Sequence, residues 1–277
     1  MDTISVPSLT DELAEMDPFV IVEPGGTHSG KYDQCIRHIE LTGASPAHAI
    51  KMQWLSSPLA LAQRRNAKEY IDAYQNIAFP AEWHKDFAAL AHKHQLQYGC
   101  SVYLANDVEV IGSYVDFFKV SSFEANDLAM LRLMSIYEKP IYISCGMRSN
   151  YEARRIIKQT LSADLGAPVY FLYCTTGYPV PYAQLNLSVL TSQIYHGFSD
   201  HSADVTVGAR AYAAGARIFE VHTRIEATPK SNPDYAVALT YSQLKDYIDG
   251  IYLQQEYFGS PERKVQLVEE GFIRYKS

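Results

Sequence analysis

The sequence predicts an α/β chain closed into a single-domain (β/α)8 TIM barrel, and three observations carry that prediction. Short apolar runs recur eight times along 277 residues, about 35 residues per unit, the size of one strand plus one helix. Between the runs lie stretches with apolar residues every three and four positions, and strands alternating with helices build a parallel sheet. The length itself suits one barrel of about 250 residues with short extensions. A doubly wound open sheet is the alternative, because the same alternation serves both.

Taken in order, FVIVE (19–23) is the first strand, and its terminal Glu23 opens the loop EPGGTHSG. Two consecutive glycines let that loop turn sharply before Lys31 starts a helix over Tyr32–Leu41. AIKMQW (49–54) follows, then a helix Trp83–His94 and the strand QYGCSV (97–102). FFKV (117–120) leads to a helix Asp127–Ile136, and IYISC (141–145) to a helix Asn150–Leu161 with Asn150 as N-cap. VYFLYC (169–174) runs into the proline-stiffened CTTGYPVP. IYHGFS (194–199) precedes a helix Ser202–Ala214, capped by Ser202 and stopped by Gly215. IFEVH (218–222) is the eighth run, and a helix Tyr241–Tyr257 closes the series. The domain division is an extension at 1–17, the barrel at 18–258 and a tail at 259–277.

Composition narrows the function classes. Hydrophobic residues make up 47%, enough for a sizeable core. A net charge of −7 with no basic run argues against nucleic acid or anionic lipid as partner. No apolar stretch approaches the roughly 18 residues that span a bilayer, and the acidic start lacks a signal peptide's features. Cys35, Cys100, Cys145 and Cys174 lie far apart and read as reduced thiols in a cytoplasmic protein. Tyrosine-rich stretches, YIDAYQNIAF and YSQLKDYIDGIYLQQEYF, offer surface for a homodimer through barrel helices.

In a barrel, chemistry belongs at the C-terminal ends of the strands. Glu23 sits there, either as a functional carboxylate or as a solvated turn residue. Lys51 and Gln53 alternate to one face of their strand, and Lys119 repeats the pattern with Ser121, Ser122 and Glu124 beyond it. Two strand lysines inside one barrel would make a pocket for phosphate or carboxylate; on an edge they would face solvent. His201 and His222 follow the seventh run and end the eighth, where both imidazoles can share a divalent ion, with Asp234 in the next loop; ordinary structural histidines are the other reading. Tyr178 is either a site residue or part of a rigid turn, and Cys145 and Cys174 read as packing residues.

Together these segments resemble the sialic acid synthase family. Its first-strand motif AEIGxNHxG appears as VEPGGTHSG, with Glu23, Gly25, His28 and Gly30 retained. Its KxQ is Lys51-Met52-Gln53, and its KIGSxE is Lys119 to Glu124. STGM is Ser144 to Met147, CTxxYPxP is Cys174 to Pro181, GYSDH is Gly197 to His201, and EKHFT begins at Glu220. The resemblance implies a barrel enzyme that joins phosphoenolpyruvate to an aldose and releases phosphate, giving a 2-keto-3-deoxy sugar acid. It implies phosphoenolpyruvate contacts at Lys51, Ser101, Lys119, Ser122, Ser144 and Ser199, and sugar contacts at Gln53, Glu124, Tyr178 and Asp234. It implies metal ligation by His201 and His222, usually for Mn2+ with Mg2+ or Co2+ as alternatives, and acid/base work by Glu23.

Departures from the family pattern are Thr27 for Asn, Thr176 for Asn or Ser, Val221 for Lys and Thr223 for Phe. Family members continue past this chain's FIRYKS into an antifreeze-like cap, so the acceptor site is expected to be open or completed by another chain. Two rivals use much of the same constellation: a non-catalytic binding barrel acting as a partner subunit, and a metal-dependent pyruvate aldolase.

Overall fold

The computed structural model describes residues 4–259 and 266–269; most of the expected tail at 259–277 therefore lies outside the described residues. Eight parallel strands close on themselves: β1 Phe19–Glu23, β2 Ala49–Trp54, β3 Gln97–Val102, β4 Phe117–Val120, β5 Ile141–Ser144, β6 Val169–Cys174, β7 Gly197–Asp200 and β8 Ile218–Arg224. Each pairs with its sequence neighbour, and β1 pairs with β8, so the sheet is a barrel and the open-sheet alternative is excluded. A two-residue β9, Leu239–Thr240, lies beside the end of β8.

The strands' period of two divides their residues into an inner and an outer set. Outward-facing Val20, Ile50, Phe118, Phe171, Phe198 and Phe219 are fully or almost fully buried under the helices. Burial of each such side chain contributes on the order of 2–3 kcal/mol. The inner set begins at the bottom with Ile21, Ala49, Phe117, Tyr142, Leu172 and Ile218, which plug the barrel. Gly99 makes room for that plug, because a Cβ there would fall 2.1 Å from Cε2 of Phe117. One turn higher the same inward positions become polar, and that change of character creates the site.

Helices form where the sequence caps them. α1 (Thr10–Ala14) buries Leu13, and the residue before it, Leu9, donates its N–H to Gln193 O at 2.9 Å. α2 (Tyr32–Gly43) and α5 (Trp83–Lys93) pack outside β2 and β3. Between β2 and α5 come α3 (Pro58–Arg64), which the spacing rules left unassigned, and the short α4 (Ile71–Gln75). Ser57 accepts the Ala60 N–H and Pro58 occupies the first turn, a local start signal independent of amphipathic spacing. The remaining helices are α6 (Ala105–Ile111), α7 (Leu128–Ser135), α8 (Asn150–Leu161), α9 (Tyr182–Leu185), α10 (Val207–Ala213) and α11 (Tyr241–Phe258).

Three local expectations need correction. The N-cap of α8 is Ser149, not Asn150, because Ser149 and Glu152 form a reciprocal capping box. The seventh strand starts at Gly197 instead of Ile194; His196 Nδ1 accepts the Phe171 N–H and thereby occupies the approach to the strand. The helix expected from Ser202 starts only at Val207. Asp200 takes the Ser202 N–H at 2.8 Å, and Asp204 takes the Thr206 N–H at 2.7 Å, so side chains there satisfy the backbone that a helix would need. Gly215, at φ +119, does stop α10.

Candidate active site

Parallel register sets the expected residues side by side. Glu23 pairs with His222, Gln53 with Ser101, Ser101 with Lys119, Cys174 with Ser199, and Ser199 with Glu220. All are inward positions near strand ends, and they line a cavity of about 700 Å³. That volume suits small-molecule ligands. Of the expected residues, Glu23, Lys51, Gln53, Ser101, Lys119, Ser122, Ser144, Tyr178, Ser199, His201, His222 and Asp234 all reach its wall. Glu124 does not: its carboxylate lies behind Arg65, which faces the cavity in its place.

The floor is a buried charge cluster. Lys51 Nζ lies 2.6 Å from Glu23 Oε1 and 3.5 Å from Glu220 Oε2, and it donates to Ser101 Oγ at 2.7 Å. Lys119 Nζ donates to Ser144 Oγ at 2.8 Å and lies 3.7 Å from Glu220 Oε1, which also accepts the Ser199 hydroxyl at 2.7 Å. Two lysines and two carboxylates thus balance in a space nearly closed to water, which is what makes their burial tolerable. Burial alone would raise the Glu23 carboxyl, but Lys51, His222 and the hydrogen bonds from Lys51 and Gln53 hold it well below the usual carboxylate range. Lys51 is likewise disfavoured by burial, yet Glu220 and Glu23 raise it above the ordinary lysine value.

Glu220 belongs to this site although sequence reasoning gave it no role. The available signal was alternation: Ile218, Glu220 and His222 share one face of β8.

Beside the charges stand the two histidines, with ring centroids 5.2 Å apart. Tyr178 covers both, stacked on His201 at 4.5 Å and edge-on to His222 at 6.0 Å, so this residue is part of the site as well as of a stiff turn. His201 Nδ1 bonds the Thr175 carbonyl at 3.0 Å and lies 3.6 Å from Cys174 Sγ. Burial opposes its charge, but Cys174, Glu23 and Glu220 push His201 up to about 9. His222 is shifted the other way by burial, and its buried Nδ1 has no partner. Among the described residues no group of three or more His, Cys, Asp or Glu side chains is arranged around a metal position. The pair nevertheless fits a divalent ion that draws its other donors from water and substrate. One imidazole nitrogen is orphaned, and Gly25 makes room beside it for the Asp234 carboxylate, since a Cβ there would lie 2.6 Å from Asp234 Oδ2 and 3.1 Å from His222 Nδ1.

Above the floor, loops complete the wall. Asp234 accepts the Gly26 N–H at 2.6 Å and ties the loop after β8 to the loop after β1. Arg65, just past α3, and Tyr70 and Tyr74 come from the segment after β2. The tyrosines of YIDAYQNIAF therefore stand at the cavity mouth, not on an outer helix face. Two departures from the family pattern meet below: the Thr27 hydroxyl lies 3.0 Å from the Thr223 carbonyl and 3.2 Å from His38 Nε2, and His38 Nδ1 is 2.9 Å from the Tyr241 hydroxyl. This buried network fixes the turn that carries Glu23.

The sequence pattern of the NeuB family matches residues 39–263. A pseudaminic acid synthase of Campylobacter jejuni is 25% identical over 271 residues, covering 91% of this chain and 78% of that protein. A human N-acetylneuraminate-9-phosphate synthase is 25% identical over 266 residues, covering 89% and 73%. The crystal structure of an N-acetylneuraminic acid synthetase from Leptospira borgpetersenii, in complex with citrate, superposes with a TM-score of 0.83 at 20% identity, over 94% of this chain and 91% of that one. At that identity the superposition speaks for the fold.

Proposed function

The chain belongs to the NeuB family, and from that premise we propose that it is a transferase joining phosphoenolpyruvate to an aldose, with release of phosphate. The observation that carries the reading is the floor of the cavity. Lys51 and Lys119, buried and ringed by serine hydroxyls, lie beside two histidines and a carboxylate, all on one rim.

In this reading Lys51 and Lys119 hold the phosphate and carboxylate of phosphoenolpyruvate, with Ser101, Ser122, Ser144 and Ser199 as neutral donors. Gln53, Tyr178 and Asp234 face the sugar, and Glu124 acts on it through Arg65. His201 and His222 would hold a divalent ion, Mn2+ or else Mg2+ or Co2+, which would supply Lewis acidity for the sugar's aldehyde. C3 of the enol forms the new bond to the aldehyde carbon, water adds at C2, and phosphate leaves as its C–O bond breaks. Glu23, ionised and fixed by Lys51 and Gln53, takes one proton from the adding water and returns it to the former aldehyde oxygen, while the second proton leaves the C2 hydroxyl with the departing phosphate. The two lysines meet the anion, and the carboxylates of Glu23 and Glu220 beside them balance their charge until substrate arrives.

Phosphate release with manganese, across a panel of aldoses, tests the proposal. Phosphate formed with one aldose and abolished by chelator is the expected result. Phosphoenolpyruvate that binds but yields no phosphate with any aldose, at any of the three metals, would sink it. Among the described residues no helix is long and apolar enough to cross a membrane.

A further inference from the structure

Behind the ends of β1 and β8, on their helix side, lies a buried polar cluster that does not line the cavity. Thr27 Oγ1 lies 2.7 Å from the Pro24 carbonyl, 3.0 Å from the Thr223 carbonyl and 3.2 Å from His38 Nε2. Pro24 follows Glu23 and Thr223 follows His222, so one hydroxyl touches the residue next to each of these two groups. Their side chains meet in the cavity, with Glu23 Oε2 3.7 Å from His222 Nε2. On the far side of His38, Nδ1 lies 2.9 Å from the Tyr241 hydroxyl, which the Thr223 hydroxyl approaches at 3.4 Å.

The donors and acceptors fix a direction through this cluster. Both carbonyls only accept, so Thr27 gives its proton to one of them and its oxygen is left to accept. His38 Nε2 is therefore the donor. Burial holds this histidine near 3, so at pH 7 the ring carries one proton and Nδ1 is bare. Tyr241 donates to Nδ1, while the Thr42 hydroxyl serves the His38 carbonyl at 2.8 Å. The chain of bonds runs from Tyr241 at the start of α11, through His38 in α2, to Thr27 and the two strand ends.

We propose that Thr27 and His38 are positioning residues that set Glu23 against His222 from behind the strand ends, with His38 as its Nε2–H tautomer; the role in turnover rests on the condensation reading above. Positions 27 and 223 both depart from the family pattern, and here they form one arrangement. The hydroxyl at 27 meets His38, and the short side chain at 223 leaves the Tyr241 phenol the space that a phenylalanine ring would need. A misplacement of about 1 Å can cost as much as 100-fold in rate. Lys51 and Lys119 make no bond to the cluster, so the hold on the anion does not depend on it.

The test uses the whole protein. With 15N-labelled histidine, long-range proton–nitrogen spectra at pH 7 should show His38 protonated at Nε2. Thr27→Val keeps the shape and removes the hydroxyl; it should slow phosphate release about 10-fold, with phosphoenolpyruvate affinity by calorimetry nearly unchanged, and Thr27→Ser should restore the rate. His38→Phe should cost the same, and the double variant no more than either alone. His38→Gln, which keeps a donor near the Nε2 position, should recover most of the rate. If His38→Phe fails to fold, the Thr27 variants and the tautomer decide alone. An Nδ1–H tautomer, losses that multiply in the double variant, or affinity that falls as far as the rate would each overturn the positioning role and leave the condensation reading intact. No phosphate from the unaltered protein with any aldose would overturn that reading and the positioning role with it.

Discussion

Lys51 Nζ lies 2.6 Å from Oε1 of Glu23, and both side chains are all but removed from water. Each keeps the other charged, so Glu23 waits as a carboxylate that can take a proton. Glu23→Gln retains the shape and the Gln53 neighbour but not the basicity. It should lower the rate of phosphate release by about 100-fold or more. Calorimetry should find phosphoenolpyruvate affinity changed far less; equal losses in both would make Glu23 an anchor for Lys51 only.

Glu220 lies between the two lysines and competes with any anion for them. Glu220→Gln should therefore tighten phosphoenolpyruvate binding while lowering the stability of the ligand-free protein, since two buried cations lose a shared partner. Lys119→Met should have the opposite effect on binding, weakening it by about 2–3 kcal/mol. Titration calorimetry separates the signs, and shifts in one direction for both variants would disprove the competition.

Removal of the imidazole at His222 tests the proposed metal. His222→Ala should weaken manganese binding on the order of 100-fold, measured as free Mn2+ by electron paramagnetic resonance. His28→Ala supplies the comparison, since His28 is buried but absent from the cavity wall, and it should leave the manganese affinity near that of the unaltered protein.

Gly99→Ala should destabilise the barrel by about 1–3 kcal/mol, because the new methyl must displace the Phe117 ring from the inner plug. For a chain of this size, each 1 kcal/mol lowers Tm by about 2–4 °C. Unchanged Tm would mean that the plug is softer than its packing implies.

Acid should unfold the protein in part through His84 and His38. Burial holds both near 3, against 6.5 in an unfolded chain. Between those values the unfolded state binds more protons, so stability is present in full above about 6.5 and is lost as pH falls toward 3. At pH 5 each histidine accounts for a loss of about 2 kcal/mol. Urea titrations of His84→Phe at pH 7 and pH 5 should show a pH-dependent loss smaller by that amount.

Much of this molecule is legible in its residues, for physical reasons that also mark where legibility stops. Period-two alternation revealed Lys51 and Gln53 on one face of β2, and strand-end position revealed Glu23 and His222. Apolar content alone misplaced the seventh strand, because Ile194, Tyr195 and His196 are buried without joining the ladder. The helix after it was misplaced because Asp200, Ser202 and Asp204 satisfy backbone groups that spacing rules assign to a helix. Arg65 was out of reach. It follows a short helix in a polar segment, and its meaning depends on Glu124, 59 residues away.

The pairing of Glu23 with His222, and of Ser199 with Glu220, has a genetic consequence. A strand is in effect translated into the barrel in frame, with alternate residues assigned to the pocket. Deleting Ile218, the first residue of β8, would turn Glu220 and His222 out toward the helices and bring Phe219 and Val221 inside, erasing every function of that strand in one event. Substitutions, by contrast, can change one tooth of the pocket at a time, and changes in loop length beyond a strand's last residue leave its frame intact. Lineages of this barrel should therefore carry their insertions and deletions in the connecting loops, with the eight strands constant in length.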